Sequence, residues 1–133
     1  MALVQRLFVD RGTEEDLTPA RVFEVPQAQE PPRAGRIQVQ IEYRIDPARM
    51  DEFMELMQEG RRSRMSQGAL DWQVMRDVYE PGRVVECVTD ESWTEHLRRF
   101  DRVTAADVQL RDRKLAFHIG EAPPLVTRFR IER

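Results

Sequence analysis

Apolar and polar side chains alternate strictly near the start of the chain's central region. Ile37, Val39, Ile41, Tyr43 and Ile45 are separated by Gln38, Gln40, Glu42 and Arg44. A period of two over this stretch predicts a strand with one buried face. Asp46-Pro47 ends it and opens a helix, with Asp46 as N-cap and Pro47 at the first helical position. Met50, Phe53, Met54 and Met57 then recur at i, i+3, i+4 and i+7, which makes one apolar helix face. Asp51 and Glu52 at its start, and Arg61, Arg62 and Arg64 near its end, suit the helix dipole. Gly68 is the expected C-terminal cap.

The pattern returns to a period of two at Leu70, Trp72 and Val74, predicting a second strand that runs to about Tyr79. Glu80-Pro81-Gly82-Arg83 reads as a type II turn, with positive φ at Gly82. A third strand follows through Val84, Val85, Cys87 and Val88, so residues 70–90 form a hairpin. Ser92 and Glu95 have capping-box spacing and open a helix whose buried side reads Trp93, Leu97 and Phe100. Thr104 and Asp107 form a second box, so the helical region restarts near Val103 and continues toward Phe117. Gly120 and Pro123-Pro124 end it, and Leu125 to Ile131 is a last strand. The order β-α-β-β-α-β, with both helices on one sheet face, predicts an α+β, ferredoxin-like sandwich over residues 36–133. The other face is left bare, and packing two such faces together gives a dimeric α+β barrel. A homodimer is therefore expected. Residues 1–35, punctuated by Pro19, Pro26, Pro31 and Pro32, read as an extended N-terminal arm with a short strand at Leu3 to Val9. Its Leu7, Phe8, Val22, Phe23 and Val25 could dock on a neighbouring surface.

With 133 residues the chain suits one domain with one modest core. No apolar run approaches the ~20 residues of a membrane span, and the apolar cluster from Leu3 to Val9 is too short and interrupted for a signal-peptide core. Acidic residues outnumber basic ones 24 to 21, for a net charge of -3, so nucleic acid is not an expected partner. The single cysteine, Cys87, rules out an internal disulfide framework and fits a reducing, cytoplasmic compartment. Of the basic residues, 20 are arginine and one is Lys114; asparagine is absent.

His96 is the sharpest candidate for acid–base chemistry, being flanked by Glu95 and one turn from Arg99. No nucleophile stands beside it in sequence, and the blander expectation is a half-exposed histidine bonded to a nearby loop. His118 reads as a structural residue at a helix end. The two histidines share no ligand spacing with a cysteine or carboxylate, so no metal is expected. Cys87 reads as small buried packing. Arg76, Asp77, Arg83 and Glu86 fall on facing strands of the hairpin and are expected to pair there as solvated or interface charges. No GxGxxG, P-loop, GxSxG or HExxH motif occurs.

Several stretches together resemble one family. They are Val39 to Arg49 across the strand-Asp-Pro junction; Trp72 with Arg76-Asp77; Pro81-Gly82-Arg83 and Glu86; Ser92 to Arg98; and Asp101 to Thr104 with Asp107. This set resembles the cytoplasmic C-terminal domain of bacterial major-facilitator exporters of the transmembrane secretion effector type. Asp16-Leu-Thr-Pro19 is similar to the linker that joins that domain to the last membrane helix. The resemblance spans roughly residues 16–131 and implies the fold of the antibiotic-biosynthesis monooxygenase superfamily, with dimeric α+β barrels. It implies a soluble, non-catalytic regulatory or assembly domain with no cofactor, associated with an exporter and lying at the inner face of the membrane if tethered. Superfamily members that act on oxygen or haem typically use an asparagine with a tryptophan, and this chain has no asparagine. The alternative is a small cofactor-independent monooxygenase- or cyclase-like enzyme acting on an aromatic or polyketide compound. Its pocket for an apolar ligand would lie between sheet and helices, lined by Met54, Met57, Trp72 and Trp93, with His96 or Arg76 as the polar group.

Overall fold

The alternating segment forms β1 (Ile37–Arg44) in a computed structural model that describes residues 25–132. Asp46 accepts a hydrogen bond from the Ala48 amide at 3.0 Å, and Pro47 starts a single 3-10 turn that runs into α1 (Met50–Ser66). Helix α1 buries Met50, Phe53, Leu56, Met57 and Gly60, while Met54 lies at the margin of the core. Gly68 closes the helix with φ +107°, a left-handed conformation that side chains with a Cβ rarely adopt. The remaining elements are β2 (Asp71–Arg76), β3 (Arg83–Asp90), α2 (Trp93–Asp101), α3 (Ala105–Phe117) and β4 (Leu125–Arg130). The four strands form one antiparallel sheet in the order β2-β3-β1-β4. This is the expected ferredoxin-like α+β fold, its second helical region divided in two.

Directly paired residues share a face, so the register separates the two sides of the sheet. Val39 opposite Val88, Ile41 opposite Glu86 and Tyr43 opposite Val84 look toward the helices. Gln38, Gln40 and Glu42 look away, paired with Thr89, Cys87 and Val85. On the helix side, Tyr43, Ile45, Met50, Phe53, Met57 and Val84 form the buried core. The Phe53 ring lies 5.3 Å from that of Tyr43 and 5.6 Å from that of Phe117.

Local details depart from expectation in four places. Strand β2 stops at Arg76, because the Asp77 carboxylate accepts from the amides of Tyr79 and Glu80 and turns the chain there. The turn closes through the Arg83 amide and the Glu80 carbonyl at 2.9 Å, but it is not type II, since Gly82 lacks positive φ. Glycine is needed there because an added Cβ would stand 2.5 Å from the Ile45 carbonyl oxygen. Ser92 caps α2 through the Glu95 amide, yet the Glu95 side chain turns to Arg98 and Arg102; only Thr104 and Asp107 complete a reciprocal box. Finally, α2 buries His96 and Arg99, while Trp93, Leu97 and Phe100 are only partly covered.

The described part of the arm, residues 25–35, contains no helix or strand. The expected strand at Leu3 to Val9, and Leu7, Phe8, Val22 and Phe23, lie outside the described residues. Among the described residues, no helix is long and apolar enough to cross a membrane.

Candidate functional site

Strand β3 carries carboxylates at two of its helix-facing positions, Val84-Glu86-Val88-Asp90. Both are wholly buried, and a buried carboxylate persists only with charged or hydrogen-bonding partners. Glu86 therefore organises one network. Its Oε2 accepts from Trp72 Nε1 at 2.8 Å and from Arg64 Nε at 3.2 Å, and its Oε1 lies 3.5 Å from Lys114 Nζ. Burial works to raise the Glu86 pKa, but the two cations and the indole N–H overcome it and hold the carboxyl at about 2. Burial brings the Lys114 ammonium down to about 8, with Glu86 opposing that fall. The Tyr43 hydroxyl, also tied to Glu86, is pushed well above its ordinary range by burial and by that negative charge.

Asp90 organises the second network. Arg99 donates to both of its oxygens, at 2.6 and 3.0 Å, and His96 Nδ1 lies 2.8 Å from Oδ2. These bonds hold Asp90 below the usual carboxylate range in spite of burial, which acts the other way. Arg128 on β4 donates from Nε to His96 Nε2 at 3.0 Å. A guanidinium can only donate, so His96 Nε2 is the acceptor and the ring proton sits on Nδ1, facing Asp90. His96 is 1% exposed, not half-exposed, and both of its nitrogens are engaged.

Between these networks, under α2 and α3, lies a cavity of about 330 Å³. Val39, Ile41 and Val88 form its floor, and Phe100, Val103 and Leu110 its helical wall. Pro123, Pro124 and Val126 border it on the side of the edge strand β4. Arg64, Lys114, His96, Arg99 and Arg128 supply polar groups to the same space.

Of the candidate site residues His96, Trp72, Arg76, Met54, Met57 and Trp93, His96 alone lines this cavity. Met57 is sealed in the core, and Met54 packs at its edge. Trp72 lies on β2 with its indole committed to Glu86, and Trp93 packs 5.5 Å from the His96 ring without lining the cavity. Arg76 is exposed at the hairpin, donating to the Pro81 carbonyl. The expected pocket was placed between sheet and helices around Met54, Met57, Trp72 and Trp93, but Phe53 and Met57 are part of the buried core there, with Met54 and Trp72 packed against it. The open space lies instead over β1 and β4. The hairpin charges also divide: Asp77 and Arg83 pair at 3.0 Å near the surface, with Arg83 reaching Glu42, whereas Glu86 is the buried centre described above. His118 ties α3 to β1, accepting from the Arg44 amide at Nδ1 and bonding Ala122 through Nε2. Cys87 lies buried on the helix-free side of the sheet, where burial raises its pKa, so it is not a reactive thiolate.

Comparison with solved structures shows the same fold in several proteins. A provisionally assigned antibiotic biosynthesis monooxygenase from Bordetella bronchiseptica is 21% identical, with TM-score 0.62, covering 74% of this chain and 99% of that one. A second such protein, from Caulobacter crescentus, is 17% identical, with TM-score 0.63 and coverages of 75% and 92%. SnoaB, a cofactor-independent oxygenase from Streptomyces nogalater solved as an Asn-to-Ala variant, is 12% identical, with TM-score 0.61 and coverages of 75% and 96%. At these identities the likeness is one of fold. No curated protein matches the chain. The model of one sequence family does match, over residues 1–133, and by that match the chain belongs to the transmembrane secretion effector family.

Proposed function

We propose that this chain is a non-catalytic regulatory domain associated with a major-facilitator exporter, and that it binds a small, largely apolar molecule in the cavity between its sheet and α2–α3. Family membership supports the exporter context. The cavity, at the lower end of the ~300–1,000 Å³ common for ligand sites, supports binding. One observation carries the non-catalytic part: the lone pair of His96 Nε2, the atom a general base would use, is occupied by the Arg128 guanidinium. In this reading the domain works on the cytoplasmic side, and two copies pair through the uncovered sheet face, where Leu125, Phe129 and Met75 are 60%, 51% and 46% exposed.

A second reading, a cofactor-independent oxygenase- or cyclase-like enzyme, draws on the buried Asp90–His96 pair, which orients an imidazole as catalytic dyads do. It requires Arg128 to leave Nε2. A binding screen of the full chain with aromatic polyketides and haem, each hit assayed for turnover, separates the two. Binding without turnover is the expected result. Turnover that is lost in His96→Ala, with the fold intact by circular dichroism, overturns the non-catalytic reading, and absence of any binding overturns the cavity's role.

A further inference from the structure

The charges around the cavity do not all cancel. Glu86 answers Arg64 and Lys114, and Asp90 answers Arg99. Asp107 is held by Ser63 and Thr104. Arg128 differs: among the described residues its one side-chain partner is the neutral acceptor His96 Nε2, and no carboxylate stands against it. Arg128 itself is exposed on β4 at the margin of the cavity, with Arg99 as its charged neighbour. Apolar side chains also face the cavity near it, with Val39 beside it in register on β1 and Val126 and Phe100 among the lining residues. A guanidinium at the margin of a cavity with apolar walls, with no carboxylate against it among the described residues, can receive an anion there, and its fork suits two parallel bonds to a carboxylate.

We infer that the cavity takes an amphiphilic monoanion, an apolar ring system bearing one carboxylate, with the carboxylate against Arg128 and the rings over Val39, Ile41 and Val88. The inference rests on the proposal that the cavity is a ligand site, and it names the class of ligand. The carboxylate supplies the counter-ion that Arg128 lacks among the described residues, and the rings cover apolar walls. A neutral ligand of equal shape gains only the second effect.

Calorimetric titration of the full chain with 2-naphthoate and with the isosteric neutral 2-naphthamide tests this. The expected result is acid binding at least tenfold tighter than amide binding, with the two affinities brought together in Arg128→Gln and the preference kept in part by Arg128→Lys. Equal affinities in the unaltered chain overturn the anion inference while leaving the apolar-ligand reading in place. A preference that survives in both variants overturns the assignment to Arg128. Failure of both probes to bind at millimolar concentration overturns the inference together with the reading it rests on. Thermal melts of the variants with and without probe keep a folding defect distinct from a binding one.

Discussion

Replacing Glu86 by glutamine removes the charge at the centre of the Arg64–Lys114–Trp72 network while preserving its shape. The carboxyl is held at about 2 in the folded protein, against an ordinary 4.5. Because the folded value is the lower one, the contribution is complete above pH 4.5 and disappears as pH falls from 4.5 through 2. That difference corresponds to about 3 kcal/mol at neutral pH. Glutamine mimics the protonated acid, so the loss expected for Glu86→Gln is the same about 3 kcal/mol, within the range for breaking one side of a buried pair. A domain of this size has about 5–15 kcal/mol in hand, so the variant still folds. In urea, with slopes of about 1–3 kcal/mol per molar, its midpoint falls by about 1–3 M at unchanged slope. Urea titrations between pH 2 and 8 form the assay, and the acid limb of the parent should flatten in the variant. Adding Lys114→Met, which removes the more deeply buried of the two cations left unanswered, should recover part of the loss. A loss below about 1 kcal/mol, or an acid limb as steep as the parent's, refutes this account.

Other outcomes follow from the same geometry. Phe53→Asp places an unpaired charge at a fully buried position between Tyr43 and Phe117, and should leave the chain unfolded by circular dichroism; a cooperatively folded variant contradicts the core assignment. Gly82→Ala forces a Cβ against the Ile45 carbonyl and should cost about 1–3 kcal/mol in urea unfolding, because the obstacle is backbone and that backbone is tied back by the 2.7 Å bond from the Ile45 amide to the Gly82 carbonyl; unchanged stability speaks against the hairpin geometry. Light scattering at micromolar concentration should give a dimer, and Phe129→Glu on the uncovered face a monomer; a monomeric parent sinks the pairing.

The sequence alone determined the features whose causes are local. Alternation from Ile37 to Ile45 makes a strand wherever it is placed, Asp46-Pro47 can only end one element and open another, and the Thr104–Asp107 box closes within four residues. Element order followed, and with it the fold class. Even the inward phase of Glu86 and Asp90 was legible, since they share the alternation of Val84 and Val88; what it meant was not. A carboxylate at an inward position reads the same whether it is solvated at a margin or buried, and only its distant partners decide. Arg64 lies 22 residues from Glu86 in sequence, and Arg128 lies 32 from His96. Tertiary packing also decided where the open space lies. Methionine and tryptophan suit a pocket or a solid core equally well by composition, and here Met50, Phe53 and Met57 of α1 pack into the core. The divided second helix leaves its gap over β1 and β4. Which side chains meet there depends on the sheet order β2-β3-β1-β4, which brings the last strand against the first and sets Arg128 beside a histidine on another element. Local propensity carries no information about that distance, because the chain closes it only when the whole sheet has formed.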